Sequence, residues 1–226
     1  QFDVVVGDEA HLYKAKSLTK IMEKLVNTKY RFGFTGTLDG SQTHKLVLEG
    51  WFGPVYQTVT TKKLIDDKHL ADFKIQCITL KYNDNIKKIA KDYKYQDEID
   101  FLINYEPRNK FISTATIMQK GNTLVLFHII DHGKAIHDLI LTQKDKDRKL
   151  FFVYGGTDAE TREQIRAIAE TESNSIIVAS FGTFSTGVNI RNLHNIIFAS
   201  PSKSKIRNLQ SIGRGLRKSQ TKEKAR

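Results

Sequence analysis

The sequence predicts an α/β protein built on parallel sheets, and three observations predict it. The first is Phe2-Asp-Val-Val-Val-Gly-Asp-Glu-Ala-His11, where a run of β-branched residues stops at two adjacent carboxylates. A buried parallel strand reads this way, and it delivers its last residues to the carboxyl edge of a sheet, where α/β proteins bind ligands. The second is Tyr30-Arg-Phe-Gly-Phe34, which alternates like a short strand and stops at Thr35-Gly-Thr37. The third is the regular exchange of short apolar runs with helix-length stretches from Asn109 onward. That exchange implies a parallel sheet with helices on both faces.

Lys14 to Lys29 reads as a helix, because Leu18, Ile21, Met22 and Leu25 recur at helical spacing with lysines between them. Ser41 to Gly50 is a further short helix, and Gly53-Pro54 closes the segment. Val55 to Tyr82 is mixed and strand-rich, with a short helix from Lys62 to Leu70, and Ile86 to Ile103 is a charged helix. Then come a helix from Lys110 to Gln119, a strand from Asn122 to Phe127, a helix from Asp131 to Leu141 and a strand from Lys149 to Tyr154. Gly155-Gly156-Thr157 is a tight turn that can cap a helix from Asp158 to Glu170. Ser175 to Ala179 is a strand, succeeded by a Gly/Ser/Thr loop, a strand from Asn195 to Ala199 and a basic helix from Ile206. Three regions are expected: 1–57, a connector over 58–108 with no core of its own, and 109–226.

Composition bounds the function. A chain of 226 residues with 39% hydrophobic and 27% charged residues is a globular protein, long enough for two domains. No apolar run approaches the length of a membrane span, and no secretory signal opens the chain. A single cysteine, Cys77, excludes an internal disulfide and fits a reducing cytoplasm. The net charge is +11, and residues 200–226 carry 9 basic side chains against 1 acidic one. A basic cluster of that kind points to a polyanion such as nucleic acid, nucleotide phosphates or an acidic membrane surface.

Four constellations carry the chemistry. At Asp8-Glu9 one carboxylate can hold a hard divalent cation through water, and the other can position or deprotonate an attacking water. The alternative is a solvated strand end. The hydroxyls of Thr35 and Thr37 can hydrogen-bond to the acid loop, or the tripeptide is a plain turn. Ala179 to Ile190 is a loop of glycines and hydroxyl residues whose N–H groups can grip phosphates without reading bases, or it is an ordinary polar loop. In Gln210-Ser-Ile-Gly-Arg-Gly-Leu-Arg217, Arg214 and Arg217 are three apart and Gln210 is four before Arg214, so one helix face would carry all three. Two guanidiniums side by side suit a polyphosphate; the alternative is a solvated basic helix.

Taken in order, these pieces resemble the motifs of superfamily 2 helicases. Asp8-Glu-Ala-His11 resembles the DEAH-type motif II and Thr35-Gly-Thr37 motif III. Leu124-Val-Leu-Phe-His128 resembles motif IV, and Tyr154-Gly-Gly-Thr-Asp158 the turn after it. Ser180 to Asn189 resembles motif V, and Gln210-x-x-Gly-Arg-x-x-Arg217 motif VI. The narrower resemblance is to the phage UvsW-like helicases, which remodel branched DNA and R-loops in recombination and repair. The resemblance implies two RecA-like domains, the first truncated at its N-terminus, and ATP and Mg²⁺ as cofactors. It implies that Asp8 binds Mg²⁺ through water and Glu9 activates the water attacking the γ-phosphate. His11, Thr35 and Thr37 would couple nucleotide state to the nucleic-acid track. Arg214 and Arg217 would be arginine fingers, with Gln210, Gly187 and Asn189 near the nucleotide. Ser180, Thr183, His128 and Gly156 would touch the nucleic-acid backbone.

The sequence departs from the family at Asn189, where many relatives carry Asp. It also contains no Gly-x-x-x-x-Gly-Lys-Ser/Thr phosphate loop, and it has no initiator Met. The chain is therefore expected to be a piece of a longer helicase core, inactive in ATP hydrolysis alone, that acts in the cytoplasm (the host cytoplasm if phage-encoded). DNA is the expected partner, gripped mainly by its backbone, with no membrane involved. Two alternatives stand beside it: a non-catalytic nucleic-acid-binding module, and a metal-dependent hydrolase using Asp8, Glu9 and His11.

Overall fold

The computed structural model describes residues 2–13, 16–36, 38, 42–186, 190–201, 204–218 and 224–225. The chain forms two compact units, one of residues 1–63 with 204–210 and one of 64–203 with 211–226.

In the first unit, β1 (Val4–Gly7) is succeeded by a single 3-10 turn over Ala10–Leu12, α1 (Lys16–Lys24), β2 (Tyr30–Gly33) and α2 (Gln42–Phe52). The two strands pair in parallel, from Val4 opposite Tyr30 to Gly7 opposite Gly33. Strand periodicity sends alternate residues to opposite faces. A Cβ on Gly7 or Gly33 would strike the Phe52 ring of α2 at 2.8 and 2.9 Å, so Val5, Gly7, Arg31 and Gly33 face the helix. Val4, Val6, Tyr30 and Phe32 lie on the other face and are exposed. The expected burial of this strand thus fails on one side, because a two-stranded sheet has one helix-covered face.

The division at residue 63 falls within α3 (Thr61–Asp66), and β3 (Asp72–Phe73) comes next in the second unit. The strand-rich expectation for 55–82 is overturned: β3 is the one strand described there, and its partner is the two-residue β8 (Lys224–Ala225). A strand needs a ladder partner, and Lys74 adds only one further bond, from its N–H to Ala225 O at 3.0 Å. The charged helix expected over 86–103 is two helices, α4 (Asp84–Ala90) and α5 (Tyr95–Asn104). Each helix has its own N-terminal cap: Asn83 Oδ1 accepts from Ile86 N at 2.9 Å at the start of α4, and after the break Asp97 Oδ2 accepts from Lys94 N at 3.0 Å at the start of α5. Tyr82, Tyr93, Phe101 and Tyr105 gather here, with ring centroids 5.1 to 6.0 Å apart.

The remainder is α6 (Glu106–Ile117), β4 (Thr123–Phe127), α7 (Ile130–Gln143), β5 (Leu150–Val153), α8 (Ala159–Thr171), β6 (Ile176–Ser180), α9 (Phe181–Thr186) and β7 (Asn195–Phe198), and then α10 (Lys205–Gly215), whose residues up to Gln210 are counted with the first unit. Four strands form one parallel sheet in the order β5-β6-β4-β7. All of β4 is buried, as a central parallel strand covered on both faces must be. Its alternate residues feed two cores. Leu124 and Leu126 pack with Ile165 and Ala169 of α8 and with Phe181 and Phe184 of α9. Val125 and Phe127 pack with Ile112 of α6 and with Ile136 and Ile140 of α7. Among the described residues no helix is long and apolar enough to cross a membrane.

One buried side chain ties the amino ends of this sheet together. Asn122 donates through Nδ2 to the carbonyls of Ala169, Glu172 and Asn192 at 2.9, 2.6 and 2.8 Å. Its Oδ1 accepts from Ser175 N at 2.8 Å and Ser175 Oγ at 2.9 Å. Removing the amide leaves several buried backbone groups without a partner, each costing about 1–3 kcal/mol. Asn122→Ala should therefore lower unfolding stability by about 3 kcal/mol or more. Urea denaturation would measure this, and a loss under about 0.5 kcal/mol would contradict it.

Candidate functional site

Three places hold the residues singled out from the sequence. The first is the turn after β1. Hydrogen bonds from Phe34 N to Gly7 O and from Ala10 N to Phe34 O, both 2.8 Å, carry the β1–β2 pairing past the strand ends. The chain then bends sharply at Glu9, which has φ 47 and ψ 48 in the left-handed region. A non-glycine residue there is strained by about 1–3 kcal/mol and is held by its surroundings. Asp8 Oδ1 supports the bend by accepting Glu9 N–H at 2.8 Å.

The bend brings three side chains together. His11 is buried, and its Nδ1 lies 3.0 Å from Thr35 Oγ1 and 3.3 Å from Glu9 Oε2. Two oxygen acceptors converging on one nitrogen favour the tautomer with the proton on Nδ1, since a bare lone pair would face a carboxylate. Asp8 and Glu9 remain exposed. A single exposed carboxylate suits Mg²⁺, which keeps several waters and takes its other ligands from phosphate oxygens. Among the described residues no cluster of three His, Cys, Asp or Glu could hold a metal by protein ligands alone. Thr37 lies outside the described residues.

The second place is the carboxyl edge of the four-stranded sheet. His128 comes directly after β4, Gly156 lies in the turn after β5, and Ser180 ends β6. The strand order sets these three along one edge, with Ser200 after β7 continuing the row. Thr157 closes the turn by donating N–H to Tyr154 O at 3.0 Å and accepting Tyr154 N–H on Oγ1 at 3.1 Å. A Cβ on Gly156 would meet the Tyr154 ring at 2.6 Å, so the ring lies over this turn only because residue 156 has none. Asp158 caps α8, accepting from Thr161 N at 2.8 Å and Thr161 Oγ1 at 2.7 Å. These bonds, the backbone one first, hold its carboxyl below the usual range.

After β6 the expected polar loop is instead the short helix α9. Ser180 Oγ caps it, lying 2.8 Å from Thr183 Oγ1 and accepting Thr183 N–H at 3.3 Å. Phe181 and Phe184, three apart and both buried, pull one face of that turn into the core. His128 stacks on Phe181, with ring centroids 4.5 Å apart and planes at 26°. Gly187 and Asn189 lie outside the described residues.

The third place is α10. Gln210 and Arg214 stand one turn apart on it, but the helix ends at Gly215, so Arg217 lies two residues beyond the helix expected to carry it, with its N–H donating to Arg214 O at 3.4 Å. Leu216 is buried, and its carbonyl accepts Ala71 N–H at 2.9 Å instead of continuing the helix. A Cβ on Gly215 would lie 2.6 Å from Ile196 Cδ1, so this glycine permits close approach to β7. Gly213 has open space around its Cβ position, and nothing in the structure explains it. Arg214 places its guanidinium carbon 5.5 Å from the centroid of the Phe184 ring, a cation–π distance.

Residues 107–219 match the helicase conserved C-terminal domain. The chain belongs to that family. Within it the chain sits among superfamily 2 helicases. It is 39% identical over 221 residues to the ATP-dependent DNA helicase UvsW of Enterobacteria phage T4, covering 96% of this chain and 43% of that protein. The crystal structure of T4 UvsW matches with a TM-score of 0.59 at 36% identity, over 100% of this chain and 44% of that one. The chain thus spans under half the length of this relative. An ATP-dependent Type ISP restriction-modification enzyme, LlaBIII, solved bound to DNA, shares the fold with a TM-score of 0.65 at 17% identity, over 99% of this chain and 18% of that one. So does Dbp5 of Saccharomyces cerevisiae, solved bound to RNA, with a TM-score of 0.52 at 10% identity, over 94% of this chain and 49% of that one.

Sequence reasoning missed a buried polar group behind the helicase sheet edge. His132 Nδ1 lies 3.0 Å from Ser200 Oγ, and its Nε2 lies 3.1 Å from Asn109 Oδ1. A histidine three residues into a helix carries no distinctive pattern in the sequence. Burial first, and the Arg108 cation second, lower its pKa from 6.5 to about 4. Between those values the unfolded chain takes a proton that the folded chain refuses. Stability from this group is therefore full above pH 6.5 and is lost as pH falls toward 4, by up to about 3 kcal/mol. Urea unfolding from pH 7.5 to 4.5 should show that loss, and His132→Gln should flatten the part between pH 6.5 and 5. Equal pH slopes for both proteins would contradict the assignment.

Proposed function

We propose that this chain is part of an ATP-dependent helicase or translocase that acts on nucleic acid, with DNA as the substrate. Coupling of hydrolysis to unwinding or remodelling of branched DNA or R-loops, as in a UvsW-like enzyme, is the reading that the 39% identity to the T4 DNA helicase favours. The observation that carries it is the acidic turn, where a strained Glu9, an exposed Asp8, a buried His11 and Thr35 meet in a chain of a helicase family. Location in the cytoplasm, that of a host cell if the gene is a phage's, accords with this reading.

The turn supports a division of labour. Asp8 would hold Mg²⁺ through water, and the ion, when bound, supplies positive charge to phosphate oxygens. Glu9 is the base that orients and deprotonates the attacking water. Its contact with His11, and that of His11 with Thr35, tie its position to the end of β2, so a shift of Glu9 is felt beyond the turn. Thr37 belongs to the same coupling role. Gln210, Arg214 and Arg217 supply donors and positive charge to a polyphosphate, as guanidinium forks do. Gly187 and Asn189 contribute to the nucleotide contact.

Along the sheet edge, His128, Gly156 and Ser180 present a ring, a turn and a capped helix start to the phosphate backbone, and the buried Thr183 contributes by holding Ser180 Oγ. Such contacts position a strand without reading its bases. With a net charge of +11, the logarithm of the binding constant should fall linearly with the logarithm of salt concentration.

ATP turnover by the full-length protein tests this. DNA should stimulate it, with single-stranded DNA, branched DNA and RNA compared side by side. Glu9→Gln should reduce turnover by at least about 100-fold while ATP binding stays within about threefold. Undiminished turnover would overturn the role of Glu9. Nucleic-acid binding with no turnover in the unaltered protein would leave only a binding module.

A further inference from the structure

His132 sits in a hydrogen-bond relay whose direction can be worked out from its ends. Asn109 Nδ2 donates to Ile103 O at 2.7 Å, which turns Asn109 Oδ1 toward His132 Nε2. An acceptor facing Nε2 places the imidazole proton there. Nδ1 is then a bare acceptor, and the Ser200 hydroxyl donates to it. The oxygen of Ser200 in turn accepts the His128 backbone N–H at 3.1 Å. So the chain runs from His128 N–H to Ser200, to His132, to Asn109 and on to the Ile103 carbonyl.

The relay is buried at His132, Ser200 and Asn109, which are 2%, 4% and 5% exposed. Its root is fixed by Arg108, which donates to Ala199 O at 2.5 Å, next to Ser200. Its tip is the one residue of the relay that reaches the surface at the sheet edge, and the ring of His128 lies on Phe181 at the start of the Ser180-capped helix. A buried network in which every donor has an acceptor holds its members in one geometry. An apolar core there would leave the backbone after β4 to water and to several conformations.

We propose that His132 is a positioning residue for the nucleic-acid contact: through Ser200 it fixes the backbone of His128 and so keeps that ring stacked on Phe181 beside Ser180 and Thr183. This rests on the reading that the sheet edge grips a phosphate backbone. His132 does not touch the strand; it sets the residue that does.

Fluorescence anisotropy of the full-length protein with a labelled single-stranded DNA of mixed sequence tests it, using Ser200→Ala, Ser200→Thr, His128→Ala and the Ser200→Ala/His128→Ala double variant. Ser200→Ala removes the two links that Ser200 makes, to His128 N–H and to His132, and should weaken binding about tenfold, as should His128→Ala. Ser200→Thr keeps the hydroxyl and should bind within about twofold of the unaltered protein. The double variant should bind no more weakly than His128→Ala alone, because Ser200 acts through His128. Additive losses, or a loss in thermal stability without a loss in binding, would make Ser200 and His132 merely structural and overturn the proposal. If His128→Ala binds DNA as well as the unaltered protein, the reading of the sheet edge itself fails and takes the proposal with it. Nitrogen-resolved NMR of His132 gives an independent check, with the Nε2–H form expected from pH 6 to 8. The Nδ1–H form would contradict the relay direction.

Discussion

The constraint on which the second unit depends is the burial of β4 between two parallel neighbours. Every backbone group of a strand with no exposed residue must find its partner within the sheet, and β6 and β7 supply them on either side. Parallel pairing then forces all four strands to end on one edge. The residues at the strand ends, His128, the Tyr154–Asp158 turn, Ser180 and Ser200, are gathered there without any of them being placed individually. Asn122 does the complementary work at the opposite ends of the strands, where it joins β4 to α8 and to the segments entering β6 and β7.

The first unit repeats the logic on a smaller scale. β1 and β2 end side by side, and the residues just beyond them meet. The difference is strain. Glu9 occupies the left-handed region, and its place is fixed by the Asp8 carboxylate behind it and the Ala10–Phe34 backbone bond ahead of it. Strain of that kind survives where the surroundings over-determine it, and it sits here on the residue proposed to activate water.

Much of this was legible in the sequence because it was written in short-range patterns. The continuous apolar run of Leu124 to Phe127, the Gly155–Thr157 turn and the order of strand-end motifs each depend on neighbours within a few residues. The illegible features depend on distant partners. The strand-rich stretch expected over 55–82 keeps only the short β3, since its partner β8 offers only two residues. Arg217 lies beyond the helix end, where the Leu216 carbonyl takes the N–H of the distant Ala71. The polar loop after Ser180 became a helix, although the Phe181 and Phe184 spacing could have announced it. The His132 relay joins residues 109, 128, 132 and 200, and no local pattern connects them.

The central claim is that the carboxyl edge of the four-stranded sheet is the face that holds nucleic acid. Hydrogen–deuterium exchange of the protein with and without single-stranded DNA tests it most directly. The account predicts slowed exchange on binding at 128–130, 155–158 and 180–184, with 120–123 and 173–175 at the opposite ends of the strands unchanged. Slowing confined to those opposite ends, or none anywhere in the sheet under conditions where DNA is bound, would contradict it.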